Sequence, residues 1–309
     1  MTFGEEFLTV PDLFPARRSG ERWGDHELVL EFSGGPYLFR GLGETQIRLM
    51  SERYGELTGT LEGKSERVEI EVFRAPAGDF LELEPIPGRS YDMDLDYRTD
   101  SIRVAGPKIM GRISLWPLRA ALWTCVDEPL EEVIGVFENF FRLLVAYRLN
   151  QIGGALLHSA GLVRDSRAYL FLGRSGAGKS TISRISQEAG MEVLSDDMNA
   201  LVLEHGQTMV EKLPFAGDLG QTGGRRGGVF LAGLYRLEQA ETHALEPFPK
   251  PEALALLLSC APYLNADPHR TDRLMDNLAA LARNCDVKRL AFRRDAGFWD
   301  LIAEASPGA

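Results

Sequence analysis

Cysteine is scarce in this sequence. Its 309 residues include three, Cys125, Cys260 and Cys285, which lie far apart along the chain. Because no C-x-x-C spacing occurs, the sequence predicts neither a disulfide framework nor a zinc site. We interpret the three residues as buried thiols in a reducing compartment, which favours a cytoplasmic location.

The chain also lacks an excess of positive charge: 34 Lys and Arg stand against 45 Asp and Glu, for a net charge of −11. Surfaces that bind nucleic acids or anionic membranes are normally rich in Lys and Arg, so we expect neither kind of partner. The longest apolar run, 253–258, is far too short to span a membrane. The acidic N-terminal residues show no basic-then-apolar targeting signal.

One stretch does carry a recognisable chemical pattern. Residues 173–180 read GRSGAGKS and fit the phosphate-binding pattern G-x-x-x-x-G-K-[ST]. An apolar, strand-like run at 168–172 precedes it, and an amphipathic run at 179–189 follows and ends at Gly190, a typical helix C-cap. This strand-loop-helix context predicts nucleotide binding by the following residues: Gly173, Arg174, Ser175, Gly176, Ala177, Gly178, Lys179, Ser180 and Thr181.

The residue types in this loop suit a phosphate chain. Glycine lets successive backbone N–H groups turn into one concavity of anionic size, and the positive end of the helix dipole points at the same place. Lys179 adds a charge for the outer phosphates, and Ser180 offers a hydroxyl to Mg²⁺. We therefore predict Ser180 as a ligand of Mg²⁺.

Two adjacent carboxylates, Asp196 and Asp197, end the next apolar run, at 191–197. One helix and a tight turn separate them from Lys179, so we expect both at the carboxyl edge of the sheet, beside the loop. One of them can hold Mg²⁺ while the other accepts a proton from an attacking hydroxyl. We assign Asp196 as the base and Asp197 as the metal ligand, and the spacing leaves the opposite assignment equally open.

A histidine interrupts the apolar run in front of the loop. Residues 155–163 and 168–172 flank a compact turn and predict a β-hairpin whose second strand leads into the loop. From the first strand His158 can reach the phosphate end of the site. It is either a core histidine or a catalytic or phosphate contact, because imidazole changes its charge near neutral pH.

The period of the hydrophobic pattern divides the chain into two domains. Residues 1–126 contain short alternating runs and a short helix near 44–54, which predict a smaller β-rich, α+β domain of unknown role. Helical spacing begins at 127–150, with an aromatic stripe that includes Phe137 and Phe141. We expect this leading helix to pack beside the nucleotide-binding sheet and to open a second domain, 127–309.

The C-terminal half departs from simple strand-helix alternation. Residues 199–213 predict a β-hairpin, 251–260 and 271–285 predict helices, and 287–293 predicts an edge strand. Between them, the glycine-rich segment 214–228 contains Arg225 and Arg226. This segment is either a mobile lid that presents arginine to phosphate or to an acidic substrate, or a surface loop.

The histidine strand, the apolar strand, GRSGAGKS and the LSDD run at 194–197 together resemble the kinase domain of the HPr kinase/phosphorylase family. Phosphoenolpyruvate carboxykinase shares that family's nucleotide-binding core. The resemblance covers residues 151–237 and is closest to the HPr-kinase-related proteins. It implies an α/β fold, a P-loop kinase domain with a mixed sheet, which uses ATP and Mg²⁺ to phosphorylate a serine hydroxyl.

By motif, the resemblance implies that His158 lies near the transferred phosphate and that Asp196 and Asp197 are the acidic pair. With Lys179, the predicted catalytic residues are thus Asp196 and His158. The family's later R-G-x-G segment has only a vague counterpart at 223–228, so recognition of HPr itself and reverse phosphorolysis are not implied.

We predict an ATP-dependent serine kinase that acts on a peptide or small protein; the sequence leaves its oligomeric state open. Two alternatives remain at this point. One is a kinase for a free, serine-like small molecule, and the other is a nucleotide-binding module that recognises a partner without transferring phosphate.

Overall fold

The computed structural model describes residues 1–10, 21–62, 66–82, 93–215, 217–220 and 227–305. Arg225 and Arg226 lie outside these residues. The chain forms two compact units, Met1–Leu144 and Val145–Ala309, and each contains a mixed β-sheet with helices. The predicted α/β class is therefore confirmed. Among the described helices, none is both long enough and apolar enough to cross a membrane.

A seven-stranded mixed sheet forms the first unit, in the order β1-β2-β3-β7-β6-β5-β4. Its strands are β1 (His26–Leu30), β2 (Tyr37–Leu42), β3 (Val68–Arg74), β4 (Asp94–Tyr97), β5 (Ser101–Gly106), β6 (Ile109–Leu115) and β7 (Leu118–Thr124). Strand β3 runs parallel to both of its neighbours, and the other pairs are antiparallel. In the part of this unit that the structure describes, α1 (Phe3–Thr9) and α2 (Glu44–Tyr54) lie wholly within it, and α2 has the predicted bounds.

The long helix α3 (Leu130–Gln151) crosses from one unit into the other, since the division falls between Leu144 and Val145. Its aromatic stripe packs within the first unit. The ring of Phe141 lies edge-on to Tyr37 at 4.9 Å and to Phe39 at 5.1 Å between centroids, a favoured arrangement. The helix was expected to lie entirely in the second domain, but up to Leu144 it belongs to the first unit. Helical periodicity identifies a buried face but not the surface that covers it.

The second unit is built on an eight-stranded mixed sheet. Its strands are β8 (Ala155–Arg164), β9 (Arg167–Leu172), β10 (Glu192–Ser195), β11 (Met198–Glu204), β12 (Gln207–Lys212), β13 (Val229–Gln239), β14 (Ala244–Pro247) and β15 (Val287–Phe292). Its further helices are α4 (Lys179–Glu188), α5 (Lys250–Ser259), α6 (Thr271–Leu281) and α7 (Phe298–Glu304). Both predicted hairpins are present, as β8–β9 and β11–β12.

Three parallel strands determine where a ligand can approach this sheet. Strand β13 pairs in parallel with β9 and with β15, so the carboxyl ends of all three meet at one edge, where open α/β sheets bind ligands. The strand predicted at 287–293 is present as β15, but its predicted edge position is wrong, because β15 lies between β13 and the edge strand β14. Strand β14 has only four residues, none of them buried, so it lacks the alternation of buried and exposed residues by which a strand is predicted.

An aromatic core holds the strand that leads into the phosphate loop. Phe171 of β9 is fully buried, with its ring centroid 5.3 Å from that of Tyr235 on β13 and 5.8 Å from that of Trp299 on α7. Burying a side chain of this size contributes about 1.5–3 kcal/mol. The loop therefore begins from a rigidly packed strand.

Candidate active site

Glycine shapes the loop between β9 and α4. Gly176 and Gly178 have φ angles of +79° and +107°, in the left-handed region that side chains rarely adopt. A Cβ atom at 178 would also lie 2.7 Å from the ring of Phe292, and one at 173 would lie 2.6 Å from the Cβ atom of Ala177. The residue types predicted from the motif are thus required by the local backbone.

Lys179 is the first residue of α4, and its side chain folds back over the loop. Its Nζ donates to the carbonyl oxygens of Gly173 and Arg174 at 3.1 and 3.4 Å. The side chain is buried, and this burial lowers its pKa, while nearby acidic groups that include Asp197 and Asp218 oppose the shift. A buried ammonium surrounded by acids at a phosphate loop can bind an anion.

A glutamine that the sequence reasoning missed also supports the loop. Gln239 is the last residue of β13, and its Nε2 donates to the carbonyl oxygen of Gly176 at 2.9 Å. The parallel register of β13 with β9 brings it there from 63 residues away. No local pattern in the sequence could have linked Gln239 to the loop.

The tight turn between β10 and β11 presents the acidic pair. Ser195 Oγ accepts hydrogen bonds from the backbone N–H groups of Asp197 and Met198, both at 3.1 Å, and so fixes the turn. The two carboxylates have different environments. Asp196 is 4 % exposed, whereas the side chain of Asp197 is 22 % exposed.

Asp196 contacts the glycine-rich loop 173–180 through Ser180. Burial raises the pKa of Asp196, and hydrogen bonds from the backbone N–H of Leu219 and from the Ser180 hydroxyl oppose this effect. Its Oδ2 atom is buried and has no hydrogen-bond partner among the described residues. A buried carboxylate oxygen without a hydrogen-bond donor destabilises the folded protein unless it binds a cation or a proton.

His158 lies beside Asp197. It is opposite Met198 in the β8–β11 register, and its backbone N–H donates to the carbonyl oxygen of Cys260 at 2.7 Å. Its Nε2 is 3.4 Å from Oδ1 of Asp197, and 40 % of its side chain is exposed. His158 is thus a half-exposed partner of Asp197, which argues against the core-histidine interpretation.

A third carboxylate, Asp218, contacts the loop and was not identified from the sequence. Its Oδ2 accepts the hydroxyl hydrogen bond of Ser180 at 2.7 Å. Asp218 belongs to the glycine-rich segment 214–228, in which one acidic residue carries no periodic or motif signal. Of this segment, the sequence reasoning singled out Arg225 and Arg226, which lie outside the described residues.

The structure therefore brings most of the predicted site residues together. Asp196 and Asp197 both lie near the Lys179 ammonium, the Ser180 hydroxyl bonds to Asp196, and His158 contacts Asp197. The remaining loop residues follow the motif: Arg174 and Ser175 are exposed beside the glycines, and Thr181 is in the first turn of α4.

These residues fit a magnesium nucleotide. The left-handed glycines, the Lys179 ammonium, the Ser180 hydroxyl and the unmet oxygen of Asp196 supply an anion cradle and oxygen ligands. Within the described ranges, no set of three or more His, Cys, Asp or Glu side chains could hold a metal ion by itself. Mg²⁺ does not need one, because it keeps several waters and binds one or two carboxylates together with substrate phosphates.

The buried charge of Asp196 leads to a stability prediction. Because burial raises the pKa of Asp196, folding favours its neutral form, and its ionisation destabilises the ligand-free protein. We expect Asp196→Asn to raise Tm near neutral pH by about 2 °C. The gain should grow as the pH rises above the ordinary aspartate value of 3.8 and vanish well below it.

Thermal unfolding followed by circular dichroism across this pH range would test the prediction. Asp276→Asn, at an exposed position of α6, serves as the matched control and should leave Tm unchanged at every pH. A Tm for Asp196→Asn that falls near neutral pH would contradict the expected cost of the buried carboxylate.

No protein-family model matches the chain, and no curated protein does either. Function must therefore be inferred from the site's own residues, since one fold can host many unrelated activities.

Proposed function

We propose that this chain is an ATP-dependent kinase of the HPr-kinase-like type, which transfers the γ-phosphoryl group to a serine hydroxyl of a peptide or small protein. One observation carries the proposal: a phosphate loop and an acidic pair converge so that one carboxylate faces the loop and the other pairs with a half-exposed histidine. This is the division of labour that phosphoryl transfer to a hydroxyl requires.

On the phosphate side, the backbone amides of 173–180 and the Lys179 ammonium bind the triphosphate and stabilise charge on the transferred group. Ser180 and Asp196 would hold Mg²⁺, which when bound neutralises charge on the phosphates. Lys179 can leave the carbonyl oxygens of Gly173 and Arg174 for a phosphate oxygen without moving far, because both belong to the same loop.

On the acceptor side, the burial pattern favours Asp197 as the base, which reverses the assignment made from the sequence. Asp197 is partly exposed and is 3.4 Å from His158, so an incoming hydroxyl can reach it from solvent. The serine oxygen forms the new bond to phosphorus, the bond to the bridging oxygen of ADP breaks, and the serine proton passes to an Oδ atom of Asp197. His158 Nε2 orients that carboxylate and can relay the proton to water.

The proposal is tested by incubating the full chain with γ-labelled ATP, Mg²⁺ and either a library of serine-bearing peptides or free serine. Label on peptides is the expected result. Label on free serine alone would change the acceptor class to a small molecule. Nucleotide binding without transfer to either acceptor would contradict kinase activity. A chain with Asp196→Asn and Asp197→Asn together should give no transfer.

A further inference from the structure

The turn 217–220 brings Asp218 onto the phosphate loop. Its carboxylate accepts the Ser180 hydroxyl at 2.7 Å, across 38 residues of sequence. This distance is typical of a hydrogen bond from a hydroxyl to an ionised carboxylate, which is stronger than one between neutral groups. Ser180 is also the residue that the proposed function assigns as a ligand of Mg²⁺. The contact of Asp218 is therefore with a proposed metal ligand.

The turn is held in place by contacts other than this one. The backbone N–H of Gly220 donates to the carbonyl oxygen of Gly217 at 3.0 Å, and Gly220 has a φ angle of +73°. The backbone N–H of Leu219 bonds to Asp196, and the Leu219 side chain packs against the aromatic core of this unit. Asp218 therefore sits on a turn that is fixed against the acidic pair.

Steric fit leads to the same conclusion. A Cβ atom at 217 would lie 2.1 Å from Oδ1 of Asp196, closer than real Cβ atoms approach, and 3.0 Å from the Cβ atom of Asp197. Glycine at 217 thus lets the backbone lie against the acidic pair. The buried Oδ2 atom of Asp196 belongs to the same site as Ser180, whose hydroxyl bonds to Asp196.

A hydroxyl group has one proton and two lone pairs, and a cation can use only a lone pair. We propose that Asp218 is a positioning residue for Ser180: its carboxylate holds the hydroxyl proton, and the lone pairs are thereby directed toward the cation and the phosphates. This inference rests on the proposed function. It assigns to Asp218 a role that orients a ligand without touching the reacting atoms, in the way that outer partners orient metal ligands.

Two other roles for Asp218 have less support from the structure. As a base it would have to release Ser180, and the histidine contact that the base is proposed to use is made by Asp197. As a mere staple for the turn it would be redundant, since the Gly217–Gly220 bond and the Leu219 contacts already hold that turn. A positioning role differs from a staple because its effect must pass through the Ser180 hydroxyl.

A double-mutant cycle on nucleotide binding tests this difference. The dissociation constant of a fluorescent methylanthraniloyl ATP is measured with excess Mg²⁺ and with EDTA for wild type, Asp218→Ala, Ser180→Ala and the double variant. We expect Asp218→Ala to weaken binding by about 10-fold or more with Mg²⁺ and by less than about twofold in EDTA. In the Ser180→Ala background, Asp218→Ala should weaken nucleotide binding by less than about twofold more, because the hydroxyl that Asp218 positions is absent.

Equal weakening with and without Mg²⁺, or additive effects of the two substitutions, would overturn the positioning role. Asp218→Asn keeps an acceptor oxygen and should recover most of the affinity that Asp218→Ala loses. Asp276→Ala, at an exposed position of α6, is the matched control and should change neither constant. Failure of the wild-type chain to bind the nucleotide in either condition would instead refute the proposed function, and this inference with it.

Discussion

Asp197→Asn should lower the kcat of phosphoryl transfer by about 10³-fold and leave the affinity for the magnesium nucleotide within about threefold of wild type. The reason is the position of Asp197, which is partly exposed and lies 3.4 Å from Nε2 of His158. Removing the proton acceptor affects the chemical step, and a small change in affinity is expected because Asp197 is also one of the charges near Lys179. Single-turnover rates with γ-labelled ATP, together with nucleotide titrations, separate the two quantities.

The neighbouring substitution is the internal control for this prediction. Asp196→Asn should weaken Mg²⁺-dependent nucleotide binding as well as transfer, because Asp196 faces Ser180 and the loop. His158→Ala should reduce kcat by about 10- to 100-fold, since it supports the base without replacing it. If Asp196→Asn removes transfer with full nucleotide affinity while Asp197→Asn loses that affinity, the roles of the two aspartates are those first assigned from the sequence.

The sequence could not separate these two roles for a geometric reason. Asp196 and Asp197 are adjacent in the chain, but they lie in the tight turn between β10 and β11, where strand alternation does not predict which side chain is buried. Which face is buried depends on the turn 217–220 and on β8, both distant in sequence. Burial and partners are therefore properties of the assembled sheet.

Local chemistry, in contrast, predicted the elements around the phosphate loop well. Helix α4 ends as its sequence indicates: Gly190 has a φ angle of +82°, and Met191 N–H donates to the carbonyl oxygen of Ser186 at 2.9 Å. The β8–β9 hairpin was also predicted from the sequence, because a compact turn separates two apolar runs. Both features depend on residues within a few positions of one another.

What sequence reasoning missed depends on pairing over long distances. Asp218 and Gln239 reach the loop through a glycine-rich turn and a parallel strand register, and neither leaves a periodic signal. Likewise, the stripe on α3 was recognised as buried, but its aromatic partners on β2 could not be chosen from the sequence. These contacts are selected by the fold as a whole.

Lys179→Met should reduce kcat/KM for ATP by at least about 100-fold. The ammonium lies buried among acids that include Asp196, Asp197 and Asp218, which oppose the fall in its pKa that burial causes. Methionine fills a similar volume but removes the ammonium charge that lies between those carboxylates and the triphosphate. The resulting repulsion should weaken nucleotide binding and remove stabilisation of the transferred group together.

Titration of the nucleotide and initial-rate kinetics on Lys179→Met measure these two losses separately. Lys250→Met, at an exposed position where α5 begins, is the matched control and should behave as wild type. Lys179→Arg should restore little, because the larger planar guanidinium cannot occupy the space beside the carbonyl oxygens of Gly173 and Arg174. Unchanged nucleotide affinity in Lys179→Met would mean that the loop does not bind a triphosphate, and the kinase proposal would fail at its first step.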